Sequence, residues 1–313
     1  MAKLLLISDL HLRDTTPQGR IDDFQEAMWD KLGYVFYAAK DKGVDCILQA
    51  GDFFDKPKPS YSLVTRLISF CQCDLEQPSI PILCVMGQHD IYMRHSDIKG
   101  TALGLLDMVG EIALVSESSP YKVVSHHRGK ECWIYGVNYG GDPNFTTKKN
   151  KVSILIIHAD IGDKPLYPGH EYTDAEVFLK NHSNFDIILC GDYHYPFHIE
   201  KNGKHIVNTG CMLRMTRDKR DMNRKPHFYI VNTDTNKWEK YEIPHEPIDK
   251  VFSDKKELLE KPIIANEGDL IRFIQQLKQK GKSGIHYLDV LDAYCSKHEI
   301  SEEIKELIRE VLI

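Results

Sequence analysis

Residues 3–12 read KLLLISDLHL, residues 46–55 read CILQAGDFFD and residues 81–90 read PILCVMGQHD. Each stretch is a short aliphatic run that breaks off into polar, ionisable side chains. Runs of this length, apolar on both faces and bounded by turn residues, read as strands buried in a parallel sheet. Helical text lies between them, from about Asp23 to Lys42 and from Ser60 to about Cys71. Strands and helices in alternation predict a parallel sheet with crossover helices on its outer face.

Downstream the pattern changes. Strand-like runs follow at Lys122 to Val124, Cys132 to Val137, Val152 to His158, Ile187 to Gly191, His205 to Asn208, Phe228 to Asn232 and Lys237 to Ile243, with fewer helices between them. A second, more antiparallel sheet is expected to pack on the first. The fold class is therefore α/β, a two-sheet α/β sandwich with helices outside and a small C-terminal helical appendage. Pro244, Pro247 and Pro262 among charged residues read as a connector. The expected organisation is a catalytic domain over residues 1–245, a linker over 246–265 and a helical tail over 266–313, where Leu270, Ile271, Phe273, Ile274 and Leu277 share a face.

A chain of 313 residues has room for one large core and one small one. Its 42% hydrophobic and 27% charged residues are those of a folded protein, not a disordered one. No apolar run is long enough to span a bilayer, and the run after Met1 is too short for a signal peptide, so a cytoplasmic protein is expected. A net charge of -6 excludes coating of nucleic acid by bulk electrostatics. Eight cysteines without a Cys-x-x-Cys pair read as reduced thiols, with Cys46, Cys84 and Cys190 inside strands and Cys71 and Cys73 packing a helix.

The polar residues that end the strands carry the chemistry. Asp9 and His11 follow the first strand, and two residues apart on a continuing strand they would face the same way. Asp52 follows Gly51, and Gln88, His89 and Asp90 follow Gly87; His158 ends VSILIIH, and Asp192 and His194 follow IILC. Each alone reads as a polar turn. Five together read as a metal centre, because sites in α/β sheets form outside the carboxyl ends of strands. Carboxylates, an amide and imidazoles without thiolate suit manganese, magnesium, iron or zinc. More than four candidate ligands imply two ions, about 3.5–4 Å apart, bridged by one carboxylate and clamping a phosphodiester. Asp52 is the natural bridge.

SDLH, GDFFD, GQHD, a lone strand-end histidine and GDYH, in that order, resemble the calcineurin-like metallophosphoesterases. RIDDFQEA, GDFFDKPKPS and NTGCMLRMTR are similar to the DNA-repair branch, the bacterial SbcD nucleases and their phage-encoded relatives, which partner SbcC-type ATPases. The likeness spans about residues 1–245. It implies a two-metal DNA exonuclease and endonuclease, with Asp9, His11, Asp52 and His194 on one ion and Asp52, Gln88, His158 and Asp192 on the other. It also implies that His89 protonates the leaving oxygen, that Asp90 orients the His89 ring, and that the chain forms a homodimer, in the host cytoplasm if phage-encoded. Two departures stand out, since the family usually has asparagine at Gln88 and histidine at Asp192. Both fall on the second ion and make it richer in oxygen, which favours manganese or magnesium over zinc.

Two further enzyme readings stay open, a phosphomonoesterase and a cyclic-nucleotide phosphodiesterase, and beside them a DNA-binding subunit that does not cut. The stretch LRMTRDKRDMNRKPH offers Arg214, Arg217, Lys219 and Arg220 as contacts to a DNA backbone. His198 reads as the start of a strand, and His126 and His127 as solvated residues. The tail reads either as packing or as a docking surface for the ATPase.

Overall fold

The computed structural model describes residues 2–72, 80–92, 98–123, 131–167, 169–217 and 219–253. Cys73, His126, His127, Cys295, the linker from residue 254 and the helical tail lie outside the described residues, as does the side chain of Lys219. The described residues belong to the first of two compact units, Met1–Asp254.

The first half holds β1 (Lys3–Ile7), α1 (Phe24–Asp41), β2 (Cys46–Gln49), α2 (Tyr61–Cys71), β3 (Ile82–Cys84), α3 (Ala102–Met108) and β4 (Ala113–Leu114). β1 to β4 run parallel, as the alternation requires. Next come β5 (Tyr121–Val123), β6 (Cys132–Val137), β7 (Val152–Ala159), β8 (Ile161–Gly162), β9 (Thr173–Asp174), α4 (Ala175–Asn181), β10 (Ile187–Asp192), β11 (Phe197–Lys201) and β12 (Lys204–Asn208). The unit closes with α5 (Lys219–Asn223), β13 (His227–Asn232), β14 (Lys237–Glu242) and α6 (Ile248–Val251).

One sheet has the order β14-β13-β1-β2-β3-β4 and the other β11-β12-β10-β7-β6-β5. The second sheet departs from the antiparallel expectation: β12, β10, β7 and β6 are parallel, and only its edges β11 and β5 are antiparallel. The crossover from β7 to β10 runs through α4, seven residues long and too short to leave a clear helical period in the sequence.

The two faces of each central strand explain the unbroken apolar runs. Leu4 and Leu6 point between the sheets, with Leu48, Leu83, Ile156 and Leu189. Leu5 and Ile7 point outward under α1, onto Phe24, Met28, Leu32 and Val35. On the far side Leu155, Ile157 and Ile188 meet Phe178 and Leu179 of α4. Each such side chain contributes roughly 1.5–3 kcal/mol by burial. Asp23 caps α1 by accepting from the Glu26 N–H, and Ser60 caps α2 by accepting from Leu63.

The expected linker begins as packed chain. Val251 and Phe252 are buried, Ile21 N donates to Val251 O at 3.0 Å, and Ser253 N donates to Gly19 O at 3.1 Å. Prolines and charges around an apolar pair mask its anchoring role. Beside this seam the buried Lys31 donates to Pro244 O at 2.6 Å. Burial, then the charges of Arg214 and Arg20, lower its pKa from 10.5 to about 8.

The folded chain thus releases the Lys31 proton from about pH 8, whereas the unfolded chain holds it to about 10.5. Stability should therefore rise between those values, by up to about 3 kcal/mol from this residue. Urea unfolding of wild type and Lys31→Met across that window should show the rise in wild type and its loss in the variant.

Candidate metal centre

The carboxyl ends of β1, β2, β3, β7 and β10 converge where the two sheets meet. Ser8 and Thr209 stitch that seam by reciprocal bonds, Ser8 N to Thr209 Oγ1 at 2.7 Å and Thr209 N to Ser8 Oγ at 3.0 Å. Ser8 Oγ also donates to Cys190 O at 2.9 Å. Asp192 N donates across the seam to Asp9 Oδ1 at 3.0 Å.

Asp9, His11, Asp52 and His194 offer donor atoms that all lie within 4.8 Å of one another. The pleat does not bring them together, because β1 ends at Ile7 and the chain then turns. His11, Asp52, Asp192 and His194 have φ of 47°, 48°, 84° and 62°. The other three described non-glycine residues with positive φ are asparagines, which tolerate that region well. Left-handed backbone at the centre is strain of about 1–3 kcal/mol per residue, held by the surrounding fold. Gly51, at φ 86°, and Gly87 complete the close approach: a Cβ on the first would strike His158 Nδ1 and on the second Asp52 Oδ1.

The first group has the chemistry of a cation site. Asp9 and Asp52 are fully buried, and Oδ2 of each has no hydrogen-bond partner. Burial raises the Asp9 pKa, against the pull of His194 and His158. At Asp52 burial also favours the neutral form, but the charged His158 prevails and keeps it ionised. Burial and the neighbouring His194 hold the His11 pKa well below 6.5, so its imidazole is neutral, as a ligand must be. His11 Nε2 lies 3.0 Å from His194 Nε2 and 3.6 Å from Asp52 Oδ2.

The second group is linked internally. His158 Nδ1 lies 2.6 Å from Ala50 O and its Nε2 lies 2.8 Å from Gln88 Oε1, so both ring nitrogens face acceptors and both donate. Gln88 Nε2 donates onward to Asp192 Oδ1 at 2.7 Å. Burial opposes the charge on His158, but Asp52, Asp9 and Asp192 outweigh it and raise the pKa to about 10.

His89 stands at the rim with its amide donating to Asp52 Oδ1 at 2.9 Å. Its Nδ1 lies 2.9 Å from Asp55 O, which makes Nδ1 the donor and leaves Nε2 to carry or release a proton. Asp90 does not orient this ring, contrary to what the resemblance implied. Fully buried, it accepts from the amides of Phe54 at 3.0 Å, Gly87 at 3.0 Å and Phe53 at 3.2 Å, and so ties together the two ligand-bearing turns. Burial and the Asp52 charge push its pKa up to about 7. The residue missed is Asp55, whose carboxylate lies 3.2 Å from Arg13 and 3.8 Å from His11 Nδ1. Its signal was the second aspartate of GDFFD.

The basic stretch turns largely inward. Arg214 is buried and donates to Glu246 O at 2.6 Å and Met222 O at 3.3 Å, so it is no DNA contact. Arg224 is caged by Cys211 O, Leu213 O and Asp221. Half-buried Arg217 donates to Ser253 O, while exposed Arg220 donates to Leu166 O and lies 4.8 Å over the Tyr195 ring. His198 opens β11, as read, and lies 3.0 Å from His205, apart from the centre's ligands.

The first group fits a divalent cation, with an unpartnered oxygen on each buried carboxylate, whereas in the second His158 holds a proton between Ala50 O and Gln88 Oε1. A cation at His158 Nε2 must displace that proton. Calorimetry with Mn²⁺ in buffers of different ionisation heat should therefore show net proton release at pH 7. Binding should tighten as pH rises toward 10, and His158→Gln should lose the release.

A family model described as calcineurin-like phosphoesterase matches residues 2–196. The chain is 25% identical over 236 residues to the DNA double-strand break repair protein Mre11 of Halobacterium salinarum, covering 71% of this chain and 54% of that protein. It is 31% identical over 90 residues to the protein of the same name from Aeropyrum pernix, covering 29% of this chain and 21% of that one. The match thus spans about half, or less, of the length of these curated relatives. Among solved structures, an archaeal phosphodiesterase aligns at TM-score 0.40 and 12% identity, over 77% of this chain and 99% of that one. A dimetal phosphatase from Danio rerio aligns at TM-score 0.45 and 11% identity, over 78% and 99%. With its strand-end ligands in order and the family's pattern covering more than half its length, this chain belongs to the calcineurin-like phosphoesterases.

Proposed function

We propose that the chain is a two-metal DNA nuclease subunit that hydrolyses phosphodiester bonds in DNA repair or recombination. The observation that carries the reading is His89, its ring fixed through Nδ1 by the Asp55 carbonyl and its Nε2 left for proton transfer beside the Asp9, His11, Asp52 and His194 group. The relatives named for DNA double-strand break repair support DNA as the substrate.

In this reading Asp9, His11, Asp52 and His194 hold one cation, and Asp52, Gln88, His158 and Asp192 the other, with manganese or magnesium favoured. The cations supply Lewis acidity toward the phosphodiester. His89 donates its proton to the leaving oxygen, and Asp90 holds the turns that carry Asp52 and His89. An SbcC-like ATPase, a homodimer, a cytoplasmic setting and docking through residues 266–313 complete the proposal.

A second reading has its own support. The bonds among His158, Gln88 and Asp192 satisfy the second group without a cation, which suits a DNA-binding subunit that does not cut.

End-labelled single- and double-stranded DNA with Mn²⁺, Mg²⁺ or chelator separates the two. Wild type should cut only with metal, and Asp52→Ala should lose cutting and metal together. His89→Ala should retain metal while losing about 10²- to 10⁴-fold in rate. Binding without any metal-dependent cleavage would select the second reading, and faster turnover of a small phosphate ester than of DNA would remove both. Arg220→Ala should weaken DNA binding alike across sequences and reduce its dependence on salt by about one counterion, measured by anisotropy titrations.

A further inference from the structure

Tyr139 is 47% exposed, yet its ring lies against the buried His158, with centroids 6.2 Å apart and planes at 64°. Its main chain is tied to a neighbouring turn. Tyr139 N donates to Met86 O at 2.9 Å, Met86 N donates to Asn138 Oδ1 at 2.8 Å, and Gly141 N closes the turn onto Asn138 O at 2.9 Å. Met86 is two residues from Gln88, so the ring is tied to the turn that carries Gln88 and His89.

Two more tyrosines follow ligand-bearing turns, and each has a cation over its ring. Tyr92, 47% exposed and three residues past His89, has Lys58 Nζ 4.6 Å from its centroid. Tyr195, next to His194, has Arg220 at 4.8 Å. Tyrosine faces with basic groups beside them suit a ligand that is both aromatic and anionic, in a chain whose net charge is otherwise negative. A phosphate ester without a base gives such rings nothing to stack on. In an intact duplex the faces of the bases are already stacked on one another.

We propose that Tyr139 stacks on an unpaired base of the nucleotide adjoining the phosphate bound at the centre, so that the site takes a single strand or a strand end opened out of its duplex. The proposal rests on the nuclease reading and names the substrate class for it. The half-exposed ring beside the buried His158 provides the platform.

The test uses full-length protein carrying His89→Ala to slow turnover, with Mn²⁺ present and 2-aminopurine moved one position at a time along a single-stranded oligonucleotide. At one or two positions the fluorescence should be quenched on binding. Adding Tyr139→Ala should abolish that quenching and weaken binding about tenfold, whereas Tyr139→Phe should retain both. An oligonucleotide abasic at the quenched position should bind equally well to the proteins with and without the Tyr139→Ala substitution. Unchanged quenching and affinity in Tyr139→Ala would overturn the proposal while leaving the nuclease reading intact. If wild type neither binds nor cuts any oligonucleotide but hydrolyses a small phosphate ester, the nuclease reading falls and this proposal with it.

Discussion

Two carboxylates removed from water, Asp9 and Asp52, sit where the two sheets meet, and much of the molecule is arranged around offsetting their charge. Burying an ionised carboxylate costs several kcal/mol unless charge and hydrogen bonds compensate it. Here the compensation comes from both sheets at once. Asp192 N and His89 N each give one hydrogen bond, and His158 brings a charged imidazole from the other side of the seam. One oxygen of each carboxylate is still left without a hydrogen bond. A fold built for stability alone would not keep that arrangement, nor left-handed backbone at His11, Asp52, Asp192 and His194. The Ser8–Thr209 stitch and the three apolar layers supply the rigidity that holds it in place.

Much of this was legible in the sequence because a strand buried on both faces leaves an unbroken aliphatic run, and its polar end then stands out. β1, β2, β3, β7 and β10 all declared themselves in this way. What escaped had a physical reason in each case. The convergence of Asp9 with His11 depends on turn conformations, and a spacing of two residues suggested a pleat instead. A run of arginines has the same composition whether it faces solvent or, like Arg214 and Arg224, turns inward to carbonyl oxygens. Asp90 sits beside His89 in sequence, but the amides of Phe53, Phe54 and Gly87 take up its oxygens. Tyr139 belongs to no motif, and only the fold brings its ring beside His158.

The two halves of the centre are unequal. The first offers carboxylate oxygens with no competing bond, whereas in the second each polar atom of Gln88 is already engaged, by His158 on one side and Asp192 on the other. An amide carries its oxygen and its nitrogen on one planar carbon, so a Gln88 oxygen turned toward a cation gives up the His158 bond and must move its NH₂ group as well. The residues at which this chain departs from the pattern it resembles are therefore the ones that bond to each other.

Gly51 and Gly87 bear on which changes such a site can survive. Both lie so close to a side chain of the centre that the smallest substituent would displace it, His158 in one case and Asp52 in the other. Gln88 and Asp192 are half-buried and meet through their side chains. The outline of the centre is thereby fixed while part of its chemistry can vary. Changes at Gln88 or Asp192 alter the polar groups at the centre, whereas a side chain at Gly51 or Gly87 would displace the groups already there.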